Sequence, residues 1–255
     1  MIFKRAVARL HAQDWVAITI ELAIVIVGVF IGMQVTNWNQ ERLEKRETQQ
    51  ILGRLRPELQ NLLKNCASAR AYYRITRAYA DTAFAGWRRD PRISDRDFVI
   101  AAYQASQIYS TATNNAAWGN IFGADRLRAI EDPALRSNLA FLMYSDTRPT
   151  DTQSVDTPYR QNVRRIIPVD IQDAIRAKCG DRRPADNPQL FYLPERCDLD
   201  IPASAAAKAA ASLHAHSELI EDLRWHTAAQ AAFVANTVAF EIKTRQLKRQ
   251  VDALN

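Results

Sequence analysis

Apolar residues run from Val16 to Val35 with a single charge, Glu21, among them. A stretch of about 20 such residues matches the hydrocarbon core of a bilayer, so it predicts one transmembrane helix. Trp15 and Trp38 bracket the stretch. At 1.5 Å per residue they stand about 35 Å apart, one at each interface, where indole rings prefer to lie. Past Asn39 the pattern changes without a break. Q-E-R-L-E-K-R-E-T-Q-Q is charged and free of Gly and Pro, and Ile51, Leu55, Leu59, Leu62 and Cys66 then recur at spacings of three and four. That spacing marks one buried face of a helix. Pro57 crowds the carbonyl of Gly53 and predicts a kink there, and helical character continues to Gly86.

Further helices follow from local signals. Ser94 reads as an N-cap for a helix with Phe98, Ala101, Ala105 and Ile108 or Tyr109 facing inward. A segment loosened by Gly119 and Gly123 comes next. Asp132-Pro133 opens a helix whose buried stripe is Leu135, Leu139, Leu142 and Met143. Val155, Tyr159, Val163 and Ile166 or Ile167 align over residues 155–166, and Pro168 ends that run before a short helix near 170–178. Pro202 opens the last and longest run, helical to about residue 252. No strand-like alternation exceeds four residues, so the expectation is an all-α chain: one transmembrane helix continuing into a soluble helical bundle. Residues 1–14 then form a short cytoplasmic tail, 15–38 the transmembrane signal anchor and 39–255 a helical extracytoplasmic domain.

Composition agrees with helices, because only seven of 255 residues are glycine. The net charge of +6 is dispersed; residues 151–200 hold eight Arg/Lys against nine Asp/Glu. A dispersed excess without basic runs describes a solvated surface and no nucleic-acid footprint. Lys4, Arg5 and Arg9 precede the apolar run as in a secretory signal. The run is too long for a signal's apolar core, however, and no A-x-A-like site follows Gly32, which favours an uncleaved anchor. Three Lys/Arg precede it and three follow within residues 36–50, so the positive-inside count is a tie.

Cysteine bears on the side of the membrane. Cys179 and Cys197 flank a Pro-rich, charged loop, and a disulfide closing it offsets loop entropy by roughly 3 kcal/mol. Such a bond persists in an oxidising compartment, leaving Cys66 as a buried thiol. Three unpaired cysteines in a cytoplasmic domain are the alternative.

The anchor carries the most pointed candidate site. At 100° per residue Glu21, Gly28, Gly32 and Asn39 fall at about 0°, −20°, +20° and 0°, on one narrow face. Glycines in G-x-x-x-G spacing let another helix approach closely, and an acid inside the membrane needs a partner or a proton. Chance is the competing explanation for the glycines, since the spacing is common in apolar 20-mers.

The run Glu21, Gly28, Gly32, Gln34, Asn37, Trp38, Asn39, Glu41 and Arg42, written E-x6-G-x3-G-x-Q-x2-N-W-N-x-E-R, resembles the signature of a bacterial family of single-pass membrane proteins known only as a domain of unknown function. A weaker likeness lies in G-A-D-R-L-R-A-I-E-D-P-A-L-R-S-N-L, while the cysteine loop departs from the family. The resemblance implies an inner-membrane anchor and a helical extracytoplasmic domain, with no activity, cofactor or catalytic residue.

Elsewhere the chemistry is sparse. His214/Glu218 and Asp222/His226 are i, i+4 pairs, but the two pairs lie about 80° apart around a helix, so surface hydrogen-bonded pairs are expected rather than a metal site. No G-x-S-x-G elbow, Cys-His nucleophile or phosphate-binding glycine loop is present. The aromatics Trp87, Tyr103, Tyr109, Trp118 and Phe122 can line a small-molecule pocket, although at helical spacing they more commonly form core. The expectation is a non-enzymatic protein without a cofactor, which binds the membrane and another transmembrane helix, its own copy or a partner protein's. The alternative is a ligand-sensing module that binds a small molecule between helices and acts through a membrane partner.

Overall fold

A computed structural model describes residues 15–109, 127, 130–144, 156–185, 187 and 190–253. The tail before Trp15, and Trp118, Gly119, Phe122, Gly123 and Val155, lie outside the described residues, as does the Met143 side chain. The described part is all-α. It holds seven helices and no strand apart from one isolated bridge, Arg182 with Tyr192.

Helix α1, Trp15–Trp87, runs unbroken for 73 residues, about 110 Å at the α-helical rise. Pro57 lies inside it without ending it. Its most apolar 18-residue window has a mean hydropathy of 2.6 and is wholly unburied, long and apolar enough to cross a membrane. Residues 39–50 continue as an exposed stalk, and burial starts at Ile51. The helix stops in a left-handed turn. Arg89 has φ 56°, its N–H reaches Gly86 O (2.9 Å), and Asp90 N–H reaches Ala85 O (3.1 Å). These are the two closing bonds of a Schellman motif, with arginine where glycine is usual.

Helix α2 spans Asp95–Ala105 and begins as its N-cap foretells, with Asp97 N–H donating to Ser94 Oγ at 3.1 Å. One inward face was to be expected from its spacing, but Phe98 through Ala105 are all buried. Helix α2 is the central rod of the bundle, enclosed by its neighbours on every side. Helix α3, Pro133–Tyr144, starts at Asp132, whose Oδ1 accepts from Ala134 N–H at 2.8 Å. Helices α4, Pro158–Ile166, and α5, Val169–Cys179, follow.

The long last run predicted from Pro202 is two helices, α6, Ala203–His214, and α7, Glu218–Asp252. Between them His216 Nδ1 turns back to Ser212 O (2.8 Å) and the chain changes direction. The break lets α6 lay Ala206, Ala209, Ala210 and Leu213 against the central core. It also sends α7 back along α1, antiparallel, until Arg56 Nη2 meets Val251 O at 3.1 Å.

Two main apolar bodies result. The distal one gathers α2, α4, α5, α6 and the start of α7 around Ala80, Ala83 and Trp87 of α1. The other lies nearer the stalk, where Ile51, Leu52, Leu55 and Leu59 meet Leu135, Leu139, Leu247 and Val251. Between them α1 and α7 share a third, smaller apolar cluster around Tyr72, Tyr73 and Phe233, and a polar contact in which buried Glu241 pairs with Arg70 and Arg245.

Candidate functional site

The anchor face comes directly from helix geometry. Because α1 is continuous, Glu21, Gly28, Gly32 and Asn39 align along one side, and all four are exposed. Apart from the adjacent residues and the helix's own backbone, no atom lies within 4 Å of a Cβ built on Gly28 or Gly32. Thr19 and Thr36 return their hydroxyl hydrogens to the carbonyls four residues earlier, Trp15 (2.8 Å) and Gly32 (2.9 Å), which satisfies those donors within the helix. Trp15 and Trp38 are both exposed, and Arg42 sits 5.9 Å from the Trp38 ring. The face therefore offers a backbone-deep groove with an acid near one end and an amide at the other.

Cys179 and Cys197 are joined in a disulfide, their Cα atoms 5.4 Å apart, and Cys66 is free and buried. Burial pushes the Cys66 thiol up to about 11. The bond closes a loop whose described arms, 181–185 and 190–196, lie on α1. Ser68 donates to Phe191 O (2.8 Å), Tyr79 to Pro194 O (3.1 Å) and Tyr72 to Asp181 Oδ1 (2.6 Å). The arms pair through Arg182 N–H to Tyr192 O (3.0 Å) and Tyr192 N–H to Arg182 O (2.9 Å). Partial desolvation beside α1 raises the carboxyl of Asp181, and burial raises the Tyr72 hydroxyl.

The C-terminal histidines do not form surface pairs with their i+4 or i−4 acids. His226 is wholly buried. Its Nδ1 lies 2.6 Å from Thr157 Oγ1, and its Nε2 lies 3.1 Å from Ala105 O and 2.9 Å from Gln230 Nε2. Asp222 instead accepts from Asn162 Nδ2 (3.0 Å), and His214 packs against the Phe98 ring at 4.9 Å. The register was present in the sequence. His226 continues the spacing Leu219, Leu223, His226, Gln230, Phe233, which is the buried stripe of α7. A polar residue in an apolar register marks a buried hub.

That hub ends the central helix. The last carbonyls of a helix lack intrahelical donors. Here Ala102 O accepts from Tyr159 Oη (2.7 Å), Ser106 O from Arg160 Nη1 (2.7 Å), and Ala105 O faces the His226 ring. Arg164 adds a hydrogen bond to Gln107 Oε1 (2.9 Å) and lies 4.9 Å from the Tyr103 ring. Two guanidiniums at a helix C-terminus also complement its dipole. Burial, with Arg160 and Arg164 adding to it, lowers His226 to about 4, so the ring is neutral at pH 7. Among the described residues, no group of three or more His, Cys, Asp or Glu is placed to hold a metal ion.

The aromatics fill core. Trp87 packs edge-on against Phe98 (5.0 Å) and donates Nε1–H to Leu213 O (3.2 Å). Tyr103 belongs to the same body, with its hydroxyl taken by Arg176 (3.0 Å). Tyr109 lies in a different cluster, against Tyr72, with its hydroxyl on Asn65 (2.9 Å). The three rings fall in two separate clusters, Trp87 and Tyr103 in one and Tyr109 in the other.

No protein-family model, no curated protein and no solved structure matches this chain. The likeness of the anchor motif to a membrane-protein family therefore rests on the motif's own residues.

Proposed function

We propose that this chain is a single-pass protein of the bacterial inner membrane that associates with another transmembrane helix through the Glu21, Gly28, Gly32, Asn39 face. Its role is binding rather than catalysis, and the helical bundle is presented on the extracytoplasmic side. The observation that carries the reading is the open Cβ space at both glycines on the same side of an unbroken helix as an acid. Two helices meeting there approach backbone to backbone and bring further polar groups beside Glu21. The motif's resemblance to a family of inner-membrane anchors supports the location. The Cys179–Cys197 bond supports the side, since a disulfide persists where thiols are not kept reduced.

A membrane two-hybrid assay on the full chain tests the association, with insertion checked for each variant. Gly28→Ile and Gly32→Ile keep the segment apolar but fill the groove, so recovery of the partner helix falls. Glu21→Gln weakens association less than Glu21→Leu, because the amide still hydrogen-bonds. Val29→Leu, about 80° away around the helix, is neutral. Ile variants that associate as well as the parent chain refute the reading. Pairing a tagged with an untagged copy separates self-association from a partner protein. Orientation is tested by a reporter fused after Asn255; activity there of one that works only in the cytoplasm overturns the assigned side.

A further inference from the structure

The end of α2 gathers more arginine than its capping uses. Arg160 Nη1 donates to Ser106 O (2.7 Å), a backbone carbonyl, but Arg164 and Arg176 bond only to side chains. Arg164 Nε reaches Ser106 Oγ (3.3 Å) and its Nη2 reaches Gln107 Oε1 (2.9 Å), while its guanidinium lies 4.9 Å from the Tyr103 ring. Arg176 Nη1 reaches the hydroxyl of that same tyrosine at 3.0 Å. Shared contacts on Ser106 and Tyr103 thus set three guanidiniums side by side, with Arg164 in the middle. The outer two have carboxylates, Asp156 for Arg160 (3.4 Å) and Asp173 for Arg176. Arg164 makes no ion pair among the described residues. The fields of Arg160 and Arg164 reach Asp181, but its Oδ1 accepts the Tyr72 hydroxyl and it pairs with none of the three. Arg164 is half-buried, and burial, with Arg160 and Arg176 adding to it, holds its pKa below the usual arginine value. Its Nη1 is taken by no group of the protein among the described residues and is not sealed from solvent. A half-buried cation between two like charges lacks one anion.

We propose that Arg164, with Arg160 and Arg176 at its sides, binds the carboxylate of a small organic acid. This inference is independent of the anchor reading. A guanidinium fork matches the two oxygens of a carboxylate, and a single negative charge is what Arg164 lacks. A phosphate dianion would set a second charge beside Asp181. The bound carboxylate links Arg164 of α4 to Arg176 of α5 at the point where the central helix ends.

The test follows phenylglyoxal modification of the full chain in detergent micelles, arginine by arginine, by mass spectrometry. Sodium acetate is the probe, with sodium chloride at the same ionic strength as the reference. Acetate slows the modification of Arg164 until the effect saturates, while exposed Arg224 reacts at its chloride rate. Arg176→Gln changes an exposed position, and circular dichroism checks that its helices remain. It raises the acetate concentration that half-protects Arg164 by about tenfold, the worth of one charge-assisted hydrogen bond. Three results overturn the inference. In the first, acetate protects Arg164 no better than chloride does, so nothing beyond screening acts there. In the second, folded Arg176→Gln is half-protected at the parent's acetate concentration, so the arginines form no joint site. In the third, sodium phosphate protects Arg164 at lower concentration than acetate, so the site takes a different class of anion.

Discussion

Replacing His226 by Gln removes the imidazole from the hub where α2 ends, α4 begins and α7 passes. The unfolded chain begins to protonate this histidine near its ordinary pKa of 6.5, whereas the folded protein refuses the proton until about 4. Between those values the unfolded state binds more protons, so stability falls as pH falls. At 1.36 kcal/mol per pH unit, the interval corresponds to about 3 kcal/mol, present above pH 6.5 and lost by pH 4. The cause is burial first. Arg160 and Arg164 add to it, while the hydrogen bond at Ala105 O and the Asp156 carboxylate oppose it. The assay is urea unfolding of the full chain in detergent, followed by far-ultraviolet circular dichroism from pH 8 to pH 4. His226→Gln is less stable than the parent at pH 7, since the amide cannot reproduce both ring contacts, to Thr157 and Ala105, at their distances. Between pH 7 and pH 4, however, it loses about 3 kcal/mol less than the parent does. Equal losses in the two proteins refute a neutral, buried His226.

Other substitutions probe other joints of the fold. Arg89→Gly relieves the left-handed residue that ends α1 and raises stability by about 1 kcal/mol in the same unfolding assay. Gly86→Ala does the opposite, because its Cβ would fall on the Phe98 ring, and costs about 1–3 kcal/mol unless α2 shifts. Cys66, buried and raised to about 11, resists maleimide at pH 7.5 in the folded protein and reacts once urea unfolds the bundle, as mass spectrometry will show.

Much of the architecture was legible because it depends on short-range rules. The Ser94 and Asp132 caps, the end of α1 near Gly86 and the buried stripes of α1 and α3 each follow from spacing or from a single side chain within a turn of the backbone. Periodicity misjudged elements whose burial comes from several neighbours. Helix α2 looks one-sided in sequence and is buried all round, because α1, α4 and α6 enclose it. The break at Ala215–Ser217 has no Gly or Pro to announce it, and it exists because α6 and α7 pack on different partners.

The sequence by itself determined the apolar N-terminal segment, its Glu21–Gly28–Gly32–Asn39 face and the helical class, since each depends only on the 3.6-residue period and on residue chemistry. Tertiary structure alone decided what the polar residues of the bundle do. His226 and Asp222 are one turn apart on the same helix, yet one is sealed against Thr157 and Ala105 while the other meets Asn162. Tyr72 and Asp181, 109 positions apart, share a 2.6 Å hydrogen bond because the cysteine-closed loop lies across α1. Helical period tells which side a residue faces, but its partner is set by the packing of distant segments, whose positions no local spacing records.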